Sequence, residues 1–177
     1  LTGKVLGVLG LGTLGTGVAR VGQALDMEII AWSQNLTEER CRNVGVRKVD
    51  KEQLFRESDV LSIHMILGER TRGLVTAAEI EMMKSSSYLI NTSRGPIVDE
   101  VALIAALDEG RIAGAGLDVF DIEPLPDTHP FRQLPNVLVT SHIGGRTYEN
   151  FAARYGDCLD DVLAWLNGKS IRVISSS

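Results

Sequence analysis

The chain has 177 residues, 44% apolar and 23% charged, enough for a core that needs neither a disulfide framework nor a structural metal. The net charge of −5 argues against nucleic-acid binding, and no run approaches the roughly 18 consecutive apolar residues of a membrane span. Two cysteines, Cys41 and Cys158, are too few for a disulfide scaffold and fit a reducing, cytoplasmic setting.

Val5 to Leu9 reads as a buried strand, and Thr13 to Leu25 as a helix with Leu14, Val18, Val21 and Leu25 on its apolar stripe. Glu28 to Trp32 is a second strand. Asp50 to Glu57 is a short helix capped by Asp50. Val60 to His64 is a third strand, and Thr76 to Met83 a helix with Thr76 and Glu79 at capping-box spacing. Tyr88 to Asn91 is a strand, Asp99 to Glu109 a helix closed by Gly110, and Ala113 to Val119 a glycine-bearing strand. Val137 to Thr140 is the last strand. Arg146 to Leu166 is a long closing helix that ends at Asn167-Gly168. The polar run Ser85 to Ser87 and the tail Ser175 to Ser177 are the only low-complexity features. Six apolar strands alternating with helices predict an α/β fold: a doubly wound parallel sheet in three layers, of the Rossmann type.

The first strand runs into Gly10-Leu11-Gly12-Thr13-Leu14-Gly15, with the spacing G-x-G-x-x-G. Gly10 makes the tight turn, Gly12 leaves room for a pyrophosphate, and Gly15 lets the helix pack on the strand. With a strand before it and an amphipathic helix after it, this segment, including Thr13 and Leu14, reads as a dinucleotide-binding turn, with a purely structural turn as the alternative. At the end of the second strand an acidic residue would bind the ribose of NAD; Ser33, Gln34 and Asn35 stand there instead. These three residues are either an ordinary polar turn or the 2′-pocket, and they leave NAD and NADP both open. Arg40 and Arg42 follow, with orientations the sequence does not give.

Three segments at strand ends carry ionisable groups: 91–96 with Arg94, 116–126 with Asp118 and Glu123, and 139–145 with His142. In a doubly wound sheet all three converge beyond the carboxyl ends of the strands. Arg94 offers a fork of donors to a carboxylate or a polarised carbonyl. His142 can exchange a proton with a carbonyl oxygen, with Glu123 on its other ring nitrogen. Asp118 could accept from a nicotinamide amide or from the network beside the histidine ring. His64, closing the third strand, is read as structural or as a cofactor-side contact. His129, before Pro130, is read as a loop residue. No metal site is assigned.

The motifs at 10–15, Asn91-Thr92-Ser93-Arg94-Gly95, Gly116-Leu117-Asp118-Val119-Phe120, Glu123-Pro124-Leu125-Pro126 and Ser141-His142-Ile143-Gly144-Gly145 resemble the cofactor-binding domain of the D-isomer-specific 2-hydroxy acid dehydrogenases. The resemblance runs from about Thr2 to about Val173. It implies a hydride transfer between NAD or NADP and a small 2-oxo or 2-hydroxy acid. Arg94 would be the substrate-carboxylate arginine, His142 the acid/base and Glu123 its partner. Thr92, Arg94, His142 and Gly144 would lie along the cofactor, with Asp118 at its carboxamide. The family's Asp after the second strand is Ser33 here, and its proline and threonine in the loop after His64 are Ile66 and Gly68.

The family's enzymes carry a second, substrate-binding domain, and the chain, which begins without Met, is expected to be one excised NAD(P)-binding domain spanning 1–177 that is poorly active alone. A homodimer through this domain, with the closing helix and the loop near 65–75 as its surfaces, is also expected. The identity of the acid is left open. The alternative function is a dinucleotide-responsive, corepressor-like interaction domain with negligible turnover.

Overall fold

The computed structural model describes residues 1–174, so the serine tail 175–177 lies outside the described residues. Its contacts form two units, 1–142 and the segment from Ile143 onward. In the first, seven strands form one sheet: β1 (Val5–Leu9), β2 (Glu28–Trp32), β3 (Arg47–Lys48), β4 (Val60–Ile63), β5 (Tyr88–Asn91), β6 (Gly114–Leu117) and β7 (Val137–Val139). Their order is β3-β2-β1-β4-β5-β6-β7, and every pairing is parallel. The chain winds outward from β1 to β3, returns to lay β4 beside β1, and winds outward the other way. This is the doubly wound arrangement, with its switch point between β1 and β4.

Helices α1 (Thr13–Ala24), α2 (Glu38–Val44), α3 (Lys51–Glu57), α4 (Ala77–Met82) and α5 (Glu100–Asp108) connect these strands. Alternate residues of the central strands feed two separate apolar clusters. Leu6, Val8, Ile29 and Ala31 pack with Ala19, Leu36 and Cys41. Leu9, Ile30, Leu61, Ile63 and Leu89 pack with Leu54, Phe55, Ile80, Leu103 and Leu107. Covering both faces removes the period-two alternation and leaves continuous apolar strands.

The helix starts follow their caps. Asp50 and Thr76 each form a complete capping box, with Gln53 and Glu79, and Asp99 accepts from the Ala102 amide. Gly110 closes α5 with φ +66°.

Four expectations about the first unit are corrected. Most of the apolar stripe assigned to α1 faces outward, with Leu14 76%, Val21 61% and Leu25 46% exposed, while Val18 is partly buried and packs against the core as expected. The buried positions are Gly15, Ala19 and Gly22. A Cβ at Gly22 would stand 2.6 Å from Leu6 Cδ2 and 2.7 Å from Ile29 Cδ1, so this face has room only for small residues. Second, the sheet has seven strands: α2 and β3 had not been anticipated. Thr37 caps α2 and Gly45 ends it in the left-handed region, but seven helical residues and a two-residue charged strand carry almost no periodicity. Third, His64 lies one residue beyond β4, although its amide still donates to the Leu9 carbonyl at 2.8 Å. Fourth, β6 and β7 are shorter than expected, because the Asp118 and Thr140 amides continue the ladder with single bonds rather than full strand pairing.

The second unit contains α6 (Tyr148–Leu166), which starts two residues later than expected because Thr147 is its cap. Arg172 folds back onto this helix, with Nη1 2.7 Å from Asp161 and Nη2 2.7 Å from Asp157. Phe151 and Tyr155 stack at 5.9 Å, and no residue of α6 is buried.

Candidate active site

The loops beyond the carboxyl ends of the strands form the site. After β1 the backbone turns at Gly10 with φ +102°, where a Cβ would meet the His64 carbonyl oxygen at 2.6 Å and Met65 Sδ at 2.8 Å. Gly15 sits against the same turn, and a Cβ there would be 2.1 Å from the Gly10 carbonyl oxygen. Gly12 differs: nothing lies within 4 Å of where its Cβ would be, so its face is open. The conformational reasons anticipated for Gly10 and Gly15 therefore hold. Thr13 and Leu14 begin α1, and Leu14 forms one wall of an open cleft of about 760 Å³. His64, Met65, Ile66 and Leu67 form another wall, and Thr92, Ser93 and Arg94 a third.

At the end of β2, Ser33 is half-buried and Gln34 and Asn35 are exposed. The Leu36 amide donates to the Ser33 carbonyl at 3.0 Å and closes this turn. The His64 Nε2 lies 2.8 Å from Ser62 Oγ, and burial pushes the imidazole pKa down, which favours the neutral ring.

Asn91 organises the turn after β5. Its Oδ1 accepts from the Ser93 amide and its Nδ2 donates to the Arg94 carbonyl, both at 3.0 Å. Ser93 Oγ donates to the Met65 carbonyl and ties this turn to the neighbouring wall. Thr92 and Arg94 are left exposed, with Arg94 Nη1 donating to the Ser93 carbonyl at 2.6 Å. A Cβ at Gly95 would lie 2.1 Å from the Phe120 carbonyl carbon, so the turns after β5 and β6 are in direct backbone contact.

Asp118 is buried, and it accepts a hydrogen bond from the Thr140 hydroxyl. Glu123 uses both oxygens: Oε1 accepts from the Phe120 amide at 3.0 Å, and Oε2 lies 2.7 Å from His142 Nδ1. Partial burial pushes the Glu123 pKa up, but the hydrogen bonds from His142 and Phe120 and the charges of His142 and Arg94 outweigh it and hold the carboxyl below its usual range. An ionised Glu123 can only accept, so the proton between the pair is on Nδ1, and Nε2 is left for exchange with another group. His142 itself sits at φ +53°, a left-handed conformation uncommon for a residue with a side chain. Gly144 belongs to the second unit, in the turn where the Arg146 amide donates to the Ile143 carbonyl at 2.9 Å.

His129 does more than occupy a loop. Its Nδ1 accepts from the Phe131 amide at 3.3 Å and its Nε2 lies 3.0 Å from Glu100 Oε1, while Glu100 Oε2 accepts from the Asp121 amide at 3.3 Å. The segment carrying Glu123 is thus fastened at both ends to the start of α5. Ser62, Asn91, Glu100 and Thr140 had been given no role. Only Asn91 left a legible signal, an Asx-type bond to the residue two positions on. Among the described residues no helix is long and apolar enough to cross a membrane.

The switch-point cleft, the glycine turn and the open face of Gly12 define a Rossmann-type dinucleotide-binding domain. The chain belongs to the family described as D-isomer specific 2-hydroxyacid dehydrogenase, NAD binding domain, whose profile matches residues 1–144. It is 41% identical over 169 residues to a glyoxylate reductase of Aeropyrum pernix, covering 96% of this chain and 50% of that protein. Among solved structures, a phosphoglycerate oxidoreductase from Vibrio cholerae matches 94% of this chain with a TM-score of 0.90 and 31% identity, over 54% of its own length. The NAD-complexed D-isomer specific 2-hydroxyacid dehydrogenase of Lactobacillus delbrueckii ssp. bulgaricus matches 97% of it at 0.81 and 30%, over 56% of its own length. The chain spans about half the length of the curated relatives it matches.

Proposed function

We propose that this chain is the cofactor half of a nicotinamide-dependent dehydrogenase that interconverts a small 2-oxo acid and its D-2-hydroxy acid. The observation that carries the reading is the 2.7 Å Glu123–His142 pair, with Arg94 close enough for its charge to act on Glu123. The residues fit the cofactor: Gly10 and Gly15 form a turn that a side chain would break, and Gly12 presents an open backbone face for a pyrophosphate. When bound, the cofactor supplies or accepts the hydride. Thr92 and Leu14 would flank it, and buried Asp118 would accept from its carboxamide.

Glu123 holds the imidazole through Nδ1 and leaves Nε2 for the substrate. His142 Nε2 then gives a proton to the carbonyl oxygen during reduction and takes it back during oxidation. Arg94, exposed and anchored through one Nη, retains donors for the substrate carboxylate and for charge developing on the carbonyl oxygen. A second, substrate-binding domain completes the carboxylate grip and excludes water, so the 177 residues alone are expected to bind cofactor and turn over poorly.

The test is steady-state reduction of glyoxylate, hydroxypyruvate and pyruvate by the full-length protein. His142→Ala should lower turnover by about 10²–10⁴ while cofactor affinity stays within about tenfold. A full-length protein that binds dinucleotide tightly and reduces none of these acids would overturn the enzyme reading.

A further inference from the structure

We infer that Arg40 is a specificity-determining residue that reads a phosphate on the adenosine 2′-oxygen, making this a domain for the 2′-phosphorylated dinucleotide. The inference rests on the proposed dinucleotide site and concerns one end of it.

The geometry begins at the glycine turn. The Gly10 amide donates to the Trp32 carbonyl at 2.9 Å, so the polar turn that starts at Ser33 stands directly beside Gly10 and Leu11. From the other side, Arg40 of α2 crosses to the same turn and donates Nε–H to the Leu11 carbonyl at 2.6 Å. Ser33 and Arg40 therefore flank one short stretch of backbone, although six residues separate them in sequence. Sequence spacing had left this arginine without a direction.

The bond at Nε fixes the plane of the guanidinium and leaves the two Nη groups over. Among the described residues neither Nη has a hydrogen-bond or ion-pair partner. Arg40 also lines an open groove of about 620 Å³, together with Thr16, Thr37, Glu39 and Asn43. A guanidinium pinned at Nε and open at both Nη is a preorganised fork for a phosphate, since the rotamer entropy of the side chain has already been lost. The end of β2 is chemically consistent with such a ligand. Ser33, Gln34 and Asn35 supply a hydroxyl and two amides, and none of them carries the negative charge that would repel a phosphate there. Of the nearby acids, Glu38 leans toward Lys48 at 3.7 Å, while Glu39 shares the groove and opposes an anion. Glu39 therefore acts as a brake on the preference that Arg40 creates.

The experiment compares 2′-phospho-ADP-ribose with ADP-ribose, two fragments that differ only by the phosphate, by calorimetric titration of the 177-residue chain. We expect the phosphorylated fragment to bind at least tenfold more tightly, with the difference shrinking as salt rises. Arg40→Gln should abolish the difference and leave ADP-ribose affinity within about threefold. Glu39→Gln should widen it. Arg40 is exposed, so the variants should fold, and a circular dichroism melt checks this. Arg40→Lys keeps the charge without the fork and should retain only part of the preference.

A wild-type chain that binds both fragments equally overturns the inference and leaves the dinucleotide site intact. So does an Arg40→Gln variant that keeps the preference, or one that weakens both fragments alike, which would reduce Arg40 to a brace for the Leu11 carbonyl. If neither fragment binds the wild-type chain, the dinucleotide reading falls as well.

Discussion

The identity of single side chains at the site matters unequally. Gly12 is the clearest case: a side chain there meets nothing in the protein, so its cost falls on the ligand and not on the fold. Gly12→Val should leave the thermal midpoint nearly unchanged and weaken dinucleotide binding more than tenfold, about 1.4 kcal/mol, by calorimetry. Gly15→Val should do the opposite first, since its Cβ would collide with the Gly10 carbonyl and disturb the turn before any ligand arrives. The glycine spacing announced both positions because the turn, the strand before it and the helix after it are local. Arg94, Glu123 and His142 were legible for a different reason: each follows an apolar strand, and parallel strands bring such ends to one edge. Arg40 and Thr140 were not legible. Their partners, Leu11 and Asp118, lie 29 and 22 residues away, and no local pattern encodes a side chain's reach.

Caps mark three of the helix starts that the sequence announces, those of α3, α4 and α5. Thr76 and Glu79 show what such a cap is worth. Glu79 accepts from the Thr76 amide at 2.8 Å and from its hydroxyl, and its other oxygen lies 2.8 Å from Lys51 at the start of α3. Partial burial pushes the carboxyl pKa up, but Lys51 and Thr76 together bring it down to about 2, against an ordinary 4.5. A folded-state pKa below the unfolded one contributes stability that is fully present above about pH 5 and is lost as pH falls from about 4.5 through 2. With solvent screening at this partly exposed junction, the contribution is on the order of 1–2 kcal/mol. Glu79→Gln should lower stability at pH 7 by about that amount and flatten the pH dependence between 5 and 3, as urea unfolding at each pH would show.

Helix α1 shows how a correct element can be read with the wrong face inward. Apolar residues at helical spacing usually mark the core side, but here α1 lies so close to β1 and β2 that only Gly15, Ala19 and Gly22 fit beneath it. Gly22→Leu should cost about 1–3 kcal/mol or more, whereas Val21→Thr on the outer face should change stability by less than about 0.5 kcal/mol. Chemical denaturation of the two variants separates the faces.

At the scale of the whole molecule, α6 carries a run of exposed apolar side chains. Phe151, Leu159, Val162, Leu163, Trp165 and Leu166 of α6 are all exposed. Such a surface suits a second copy of the chain, and sedimentation over a concentration series should give about twice the chain mass. A monomer at the highest concentration would assign that surface to another part of a longer protein. The sheet itself carries a different hazard at its two margins. At one margin β3 offers only two residues, Arg47 and Lys48, both charged and exposed, so an incoming strand would find a short edge and two cations. The opposite margin, β7, is Val137-Leu138-Val139, with Leu138 71% exposed and a β-branched residue on either side. Unwanted strand-to-strand joining between molecules, the first step toward a fibrous aggregate, is thus directed to one side of the sheet, and Leu138→Lys should slow it where an added lysine at β3 would change little.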